Sequence, residues 1–457
     1  MSLSSFTACL VCRFLRFVAR VLHRGGTAMP GRIALKICPE LLEILARDVK
    51  TVAITGTNGK TTSARMVEEA LEQAGLDYFS NKSGANLISG VTTEFVLNST
   101  ITGKPKKRYA VIECDEAAAK RVFGFLQPRV VLVTNLFRDQ LDRFGEVTHT
   151  LDSIKEGLKG APNALLCLNA DCSLTSSLGR DLPNKSVFYG VSAAASKTRR
   201  APEISDATHC LYCKTEYEYD YVTYGHLGGF RCPKCGYRRQ KADFAVMDIV
   251  ENTADKTSVL MEIGGGKKIV TINLPAIYNV YNAAGALAAA VEMGVPADTA
   301  IAALGSFSCG FGRMERFNIG ARGARMMLIK NPAGCNQVID FMRDISDEFS
   351  LIICLNDRSA DGTDISWIWD ADFEKLCAMT RRIDRVIVSG DRAEDMRLRL
   401  KYAGMDDDRI ELETDYQKLV GEMEKAEKTI FIMPTYTAML ELRGEMIKRC
   451  GGAEFWE

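Results

Sequence analysis

The sequence of 457 residues lacks several features that would define its class at once. No stretch approaches the ~18 uninterrupted apolar residues that a membrane-spanning helix needs. Lys plus Arg and Asp plus Glu both total 58, so the net charge of zero points to neither nucleic acid nor an acidic partner. With 47% hydrophobic and 25% charged residues, the chain is typical of a soluble globular protein with about three domains.

Acidic residues are absent from the first 36 positions, which carry Arg13, Arg16, Arg20, Arg24, Arg32 and Lys36. On a helix, the first four of these arginines share one face, and the opposite side holds Leu10, Phe14, Phe17, Val18 and Val21. The pattern predicts an amphipathic helix that ends at Gly25-Gly26. Three interpretations fit it: a helix packed by its apolar face on the protein, a helix on an anionic membrane surface, and a transit peptide. A secretory signal is disfavoured, because the charges follow the apolar stretch.

An odd total of 15 cysteines gives no sign of a disulfide framework and favours a reducing, cytoplasmic compartment. Four of them form two C-x₂-C pairs, Cys210/Cys213 and Cys232/Cys235, with 18 residues between the pairs. Four thiolates at this spacing predict a tetrahedral Zn²⁺ site in a ribbon spanning about 205–241. Because four cysteines leave no open coordination position, the zinc is expected to be structural. The ribbon has no basic run, so nucleic-acid binding is not predicted.

A glycine-rich loop follows an apolar strand at 51–55 and precedes a helical pattern that begins at Ser63. This context favours a phosphate loop, in which backbone N–H groups wrap phosphates, a lysine neutralises them and a Thr hydroxyl holds Mg²⁺. The loop is two residues shorter than the usual phosphate-loop pattern. The predicted nucleotide-binding residues are Gly56, Thr57, Asn58, Gly59, Lys60, Thr61 and Thr62.

Three further apolar stretches, at 109–113, 130–134 and 165–169, predict parallel strands of an α/β sheet. Polar residues stand where these strands end, and such strand ends carry the ligand site of open parallel sheets. Glu113 is the natural carboxylate for Mg²⁺. Asn169 and Asp171 are candidates for nucleotide contacts.

Several of these stretches resemble the Mur ligase superfamily, namely the shortened loop and residues 134–145, 279–284 and 312–315. The resemblance implies an enzyme that uses ATP to convert a carboxylate into an acyl phosphate, which an amine then attacks. It places Asn282 by the adenine and Arg313 near the phosphates. Many relatives carry Asp-His where this chain has Asp139-Gln140, so a metal contact by that His is not expected here.

The ribbon and the stretches 330–334 and 356–370 resemble, more specifically, the ligase-like subunits of lipid II isoglutaminyl synthase. This resemblance spans nearly the whole chain. It implies amidation of the α-carboxylate of D-glutamate in the lipid II stem peptide, giving D-isoglutamine in peptidoglycan biosynthesis. The predicted cofactors are ATP, Mg²⁺ and structural Zn²⁺.

The scarcity of histidine argues against hydrolysis of glutamine by this chain alone. Glutamine hydrolysis needs a Cys nucleophile and a His base, and the only histidines are His23, His149, His209 and His226. None is well placed to serve a cysteine in the C-terminal region. The resemblance implies a separate GatD-like glutaminase subunit, whose histidine an aspartate of this chain would orient. The matching position is Asp364, although the residues alone do not distinguish it from Asp361 or Asp357.

The predicted architecture is an N-terminal helical segment (1–45), a central α/β ATPase domain (46–315) with the inserted ribbon, and a C-terminal α/β domain (316–457). Trp367 and Trp369 are expected to be buried or at an interface. Two alternatives remain open: a Mur or folylpolyglutamate-type ligase that joins an amino acid, and a nucleotide-binding zinc-ribbon scaffold. A lipid-linked substrate makes the inner face of the membrane a candidate location, with the basic helix holding the enzyme there.

Overall fold

The computed structural model describes residues 2–21, 28–81, 86–138, 147–195, 206–253, 255–307 and 313–450. The chain forms two compact units. One comprises Met1–Phe137 and Val147–Phe307, and the other comprises Arg138–Glu146 and Ser308–Glu457. Both are α/β structures.

The larger unit is organised around a predominantly parallel sheet. Its strands are β1 (Lys50–Thr55), β2 (Tyr78–Ser80), β3 (Tyr109–Glu113), β4 (Val130–Val133), β5 (Leu165–Asn169), β6 (Ser186–Val191), β7 (Glu218–Tyr224), β8 (Leu227–Arg231), β9 (Phe244–Asn252), β10 (Thr257–Ile263) and β11 (Gly266–Ile272). All except β7 and β8 join one sheet, in the order β11-β10-β9-β6-β5-β4-β1-β3-β2. Seven strands of this sheet pair in parallel, namely β1 to β6 and β9. Strands β10 and β11 extend the sheet beyond β9 with antiparallel pairing.

The helices of this unit are α1 (Leu3–Val21), α2 (Ala28–Ile37), α3 (Leu41–Ala46), α4 (Lys60–Gln73), α5 (Ile88–Leu97), α6 (Glu116–Leu126), α7 (Val147–Lys159), α8 (Ser173–Asp181), α9 (Ile277–Glu292) and α10 (Ala297–Ser306). Strand β1 lies between β3 and β4 in the sheet. The chain continues from β1 to β2 and β3 on one side of it, and then crosses to β4 on the other side. The carboxyl end of β1 is therefore the switch point at which open α/β sheets bind ligands.

The N-terminal helix α1 packs on α2 and α5. Its buried residues are all small: Ser5, Ala8, Cys9, Cys12 and Ala19. The larger residues point outward, with Phe14 and Phe17 each 66% exposed. Of the three interpretations, packing by the large apolar face does not describe α1, because the side that faces the body carries small residues. Among the described residues, no helix combines the length and apolar character needed to cross a bilayer.

The smaller unit has a second, mostly parallel sheet in the order β12-β13-β17-β14-β15-β16. Its strands are β12 (Arg313–Phe317), β13 (Ala324–Met327), β14 (Phe349–Cys354), β15 (Ile383–Ser389), β16 (Ile410–Leu412) and β17 (Thr429–Pro434). Its helices are α11 (Pro332–Arg343), α12 (Phe373–Cys377), α13 (Ala393–Tyr402), α14 (Tyr416–Glu424) and α15 (Tyr436–Cys450). Met326, Ile352, Ile432 and Leu442 are among the residues of its buried core.

Candidate active site and metal centre

The phosphate loop connects β1 to the first turn of α4. Gly56 and Gly59 have φ angles of +121° and +85°, which residues with side chains rarely adopt. Gly59 is also needed for space, because a Cβ there would lie 2.0 Å from Asn282 Oδ1. Backbone N–H groups point along the axis out of a helix N-terminus, so the glycine-rich loop and the start of α4 together have the geometry of an anion site.

Residues 134–137, which follow β4, hold this loop from one side. Thr57 N donates to Asn135 O at 2.8 Å, and Asn58 N donates to Asn135 Oδ1 at 3.1 Å. Thr134 Oγ1 donates to Asn58 O at 2.8 Å. The Thr57 hydroxyl accepts from Phe137 N at 3.1 Å and donates to Phe137 O at 3.2 Å. The loop is thereby fixed by both backbone and side-chain bonds to the neighbouring strand end.

Lys60 is buried and forms an ion pair with a carboxylate that the sequence did not single out. Its Nζ lies 2.9 Å from Glu116 Oε1, and the two residues are 9% and 4% exposed. Nζ also donates to Gly56 O at 2.5 Å. Glu116 is the first residue of α6, directly after the acidic end of β3, and that position was its only sequence signal.

Thr61 and Glu113 form the second polar pair of the site. Thr61 Oγ1 donates to Glu113 Oε2 at 2.7 Å. Glu113 is fixed through its backbone, since its N–H donates to Asn81 Oδ1 at 2.9 Å and its carbonyl accepts from Asn81 Nδ2 at 2.7 Å. A half-buried carboxylate beside a Thr hydroxyl supplies the hard oxygen ligands that Mg²⁺ prefers, so these residues fit that ion.

Asn282 and Arg313 are the other two residues predicted to bind the nucleotide. Asn282, on α9, packs against Gly59, and its carbonyl accepts from Ser63 Oγ at 3.4 Å. It therefore stands beside the phosphate loop, while its proximity to the adenine stays a prediction. Arg313 opens β12, and its role near the phosphates also stays a prediction. Asp139 and Gln140 lie outside the described residues.

Asp171, one of the two candidates for a nucleotide contact after β5, has a structural role. Its side chain is fully buried, and one carboxylate oxygen lies 2.5 Å from Arg239 Nε. The other oxygen accepts from Tyr281 OH at 2.6 Å and Val191 N at 2.7 Å. Burial raises the pKa of this carboxyl, although Arg239 opposes that rise. A nucleotide cannot reach these oxygens, so Asp171 anchors the ribbon to the sheet. Asn169 is likewise buried, with Nδ2 donating to Thr134 O at 3.1 Å.

The four cysteines of the ribbon lie together, with all their sulfur atoms within 4.8 Å of one another. They are Cys210, Cys213, Cys232 and Cys235. Tyr217, Phe230 and Tyr237 pack with Cys210 and Cys232 in a small core beside them. Four sulfur atoms this close fit the tetrahedral shell of a zinc ion.

Of the three aspartates considered for orienting a partner's histidine, Asp357, Asp361 and Asp364, the second has a structural role. It is 6% exposed, and its carboxylate accepts from Thr437 N at 2.7 Å at the start of α15. Asp357 lies 3.4 Å from Arg392 Nε. Asp364 is half-buried and accepts from Ser366 N at 2.8 Å. Hydrogen bonds from the Ser366 side chain and backbone lower the pKa of Asp364, which keeps it ionised.

The two tryptophans that follow Asp364 differ in burial. Trp367 is buried, as expected, but Trp369 is 49% exposed. The Trp369 ring packs edge-on against Tyr402 with centroids 5.7 Å apart, and the Arg399 guanidinium lies 5.4 Å from its centroid. Trp369 is thus held in place without being covered by the described residues.

Comparisons with known proteins agree with this fold. The family model for the Mur ligase middle domain matches residues 54–231, and the model for the MurT ligase C-terminal domain matches residues 328–439. A pseudomurein peptide ligase type C from Methanothermus fervidus superposes with a TM-score of 0.66 at 21% identity, over 90% of this chain and 81% of that chain. The fold is therefore that of a Mur ligase-type protein.

Two curated relatives narrow the class. The chain is 33% identical to the MurT subunit of lipid II isoglutaminyl synthase (glutamine-hydrolyzing) from Streptococcus pneumoniae, over 98% of each sequence. It is 31% identical to the Staphylococcus aureus subunit of the same name, over 98% of this chain and 99% of the relative. The chain belongs to the MurT family.

Proposed function

We propose that this chain amidates the α-carboxylate of D-glutamate in the lipid II stem peptide, producing D-isoglutamine in peptidoglycan biosynthesis. ATP phosphorylates the carboxylate to an acyl phosphate, and ammonia then displaces phosphate. The observation that carries the proposal is the phosphate loop with its buried Lys60, found in a chain that is similar along its whole length to lipid II isoglutaminyl synthase subunits.

The residues of the loop suit phosphoryl transfer. Its backbone N–H groups and Lys60 stabilise the negative charge that develops on the transferred phosphoryl group. Thr61 and Glu113 would hold Mg²⁺. That ion, when bound, neutralises charge on the β- and γ-phosphate oxygens. Asn282 by the adenine and Arg313 near the phosphates belong to the same proposal.

The ammonia is proposed to come from a GatD-like glutaminase partner. The described residues do include one Cys–His contact, in which Cys172 Sγ lies 3.4 Å from His226 Nε2. Both side chains are at most 1% exposed, so glutamine cannot reach them. Asp364 would orient the partner's catalytic histidine. A carboxylate in that position fixes the tautomer and the orientation of the imidazole ring.

Two further features complete the proposal. The four-cysteine cluster would hold structural Zn²⁺, because no coordination position is left open for water. The exposed apolar residues of α1 would hold the enzyme at the inner face of the membrane, where a lipid-linked substrate resides.

The direct test is mass spectrometry of lipid II incubated with the protein, ATP, Mg²⁺ and ammonium. Replacement of OH by NH₂ is expected to lower the mass of the stem peptide by about one unit. Glutamine is expected to replace ammonium only when the glutaminase partner is present. Absence of the product with both ammonium and the partner supplied would refute the proposal, whereas addition of an amino acid would identify an ordinary Mur-type ligase.

A further inference from the structure

The ribbon hairpin extends from the four cysteines toward the phosphate loop. Strands β7 and β8 pair antiparallel. Cys213 precedes the hairpin and Cys232 follows it directly, so the cysteines lie at its open end. The opposite end is the turn at Gly225 and His226. This turn contacts the segment that holds the phosphate loop.

The contact is an aromatic stack centred on Phe137. The Phe137 ring lies 5.7 Å from the Tyr224 ring at an interplanar angle of 18°, and 4.6 Å from the His226 ring. Gly225 lies between these two residues and faces the same ring, since a Cβ there would be 2.6 Å from Phe137 Cε1. The turn therefore closes on Phe137 with no space for a side chain at position 225.

Phe137 also bonds directly to the phosphate loop. Its N–H and carbonyl bond the Thr57 hydroxyl, and Thr57 is the second residue of the loop. Thr57 is only 3% exposed, so these bonds are shielded from water. The ring that contacts the hairpin turn and the backbone atoms that fix Thr57 thus belong to the same residue.

The hairpin turn is also connected to the phosphate loop through helix α9. Tyr224 packs edge-on against Tyr281 of α9 with centroids 5.5 Å apart. The next residue, Asn282, packs against Gly59. His226 is fixed as well, through Cys172 and through its carbonyl, which accepts from Tyr219 OH at 3.2 Å. The hairpin turn thus contacts both segments that pack on the phosphate loop, namely residues 134–137 and α9.

We infer that the ribbon positions the phosphate loop for nucleotide binding, with Phe137 and Gly225 as positioning residues. The inference rests on the proposed function in one respect only, namely that the loop binds ATP. A preorganised loop binds without first having to be ordered, so loosening it weakens nucleotide affinity. The inserted ribbon is then part of the ATP site, even though its cysteines lie at the far end of the hairpin.

The test compares two glycine variants of the full-length protein. Gly225→Ala places a methyl group against Phe137 at a φ of +52°. Gly264→Ala, in the turn between β10 and β11, has a similar φ of +58° and no atom within 4 Å of the new Cβ, so it controls for backbone strain alone. The dissociation constant of MgADP is measured by calorimetry at saturating zinc, together with zinc content and melting temperature.

Gly225→Ala is expected to raise the dissociation constant about tenfold, and Gly264→Ala to leave it unchanged. Phe137→Leu keeps the backbone bonds to Thr57 but removes the stack, and it should weaken binding likewise; it takes the place of Gly225→Ala if that variant does not fold. If Gly225→Ala or Phe137→Leu lowers the melting temperature but binds MgADP like the unsubstituted protein, the ribbon is merely structural and the inference is wrong. If the unsubstituted protein does not bind MgADP, the proposed function fails, and the inference with it.

Discussion

At the scale of single residues, the ion pair between Lys60 and Glu116 couples nucleotide binding to stability. Both side chains are almost completely buried. Removing one partner of a buried pair leaves the other charged and without compensation, which typically costs ~3–5 kcal/mol. A phosphate group would offer Lys60 a second anion. The same lysine thus stabilises the empty loop and prepares it for nucleotide.

Lys60→Met is therefore expected to lower the free energy of unfolding by about 3 kcal/mol in addition to abolishing nucleotide binding. Combining it with Glu116→Gln should restore much of the stability but none of the binding, because the uncompensated carboxylate is then neutral. Urea unfolding measures the first quantity and calorimetry the second. Lys155→Met breaks a more exposed pair with Asp181 at 2.7 Å and should cost at most about 1 kcal/mol. Equal losses for both lysine variants would contradict this account.

Asp364 gives the residue-scale prediction for the partner reaction. Asp364→Asn should abolish glutamine-dependent amidation and leave ammonium-dependent amidation unchanged, as assayed by mass spectrometry with the partner present. Asp361→Asn is the contrasting variant, since its carboxylate caps α15; we expect it to lower the melting temperature. Equal loss of both reactions in Asp364→Asn would refute the histidine-orienting role.

The pKa of Asp364 also determines a pH dependence. It is lowered, chiefly by the Ser366 side-chain hydrogen bond. A lowered pKa keeps the carboxylate ionised down to a more acidic pH than that of a free aspartate. Loss of glutamine-dependent activity between pH 7 and pH 5 should therefore not come from Asp364. Ser366→Ala removes the side-chain hydrogen bond, so the pKa of Asp364 should rise. Any loss of glutamine-dependent activity that comes from protonation of Asp364 should then begin at a higher pH.

At the scale of elements, we expect the ribbon to depend on a bound metal ion, because its own core is small. Two tyrosines, one phenylalanine and two of the cysteines make up the buried cluster. A core of this size does not offset the entropy of ordering the segment, and a metal ion bound by the four cysteines would contribute the missing free energy. The ion pair between Asp171 and Arg239 then fixes the ribbon to the sheet.

Cys235→Ser tests the dependence on metal. Cys235 is exposed, so its replacement removes a ligand with little loss of packing. We expect loss of bound zinc, measured by elemental analysis, and a lower melting temperature. Cys377→Ser, outside the cluster, should keep the full zinc content. An unchanged melting temperature in zinc-free Cys235→Ser would show that packing alone maintains the ribbon.

At the scale of the whole molecule, the sequence predicted features that are local in the chain. The phosphate loop and the cysteine pairs depend on short spacings, and the structure brings each set together. Long-range contacts were not predictable in this way. The ring contact between Phe137 and His226 joins residues 89 positions apart, and no motif marks it. Asp171 was only a candidate for a nucleotide contact, because a polar residue after a strand can bind a ligand or pair with another segment of the chain. The predicted domain boundaries stay predictions.

The sequence also indicated an amphipathic N-terminal helix but not which face would be buried. Arg13 was grouped with Arg16 and Arg20, yet its guanidinium donates to Val96 O at 2.8 Å and to Ser99 O. It therefore binds the body of the protein. Arg20 remains exposed and Arg16 is half-buried. The outward residues of that face are Leu3, Phe6, Leu10, Phe14, Phe17 and Val21.

This face leads to the prediction that the protein binds vesicles containing anionic lipid. Transfer of a phenylalanine side chain from water to an apolar phase is worth about 1.5–3 kcal/mol, so Phe14→Ser/Phe17→Ser should reduce binding at least ~10-fold in a flotation assay. Val250→Ser/Ile269→Ser is the matched control, because these residues are 57% and 55% exposed elsewhere on the same unit. Arg20→Glu should weaken binding most at low salt, where the attraction to anionic headgroups is least screened. If the phenylalanine variant floats with vesicles as well as the control does, α1 does not contact the membrane, and its exposed face must serve another partner.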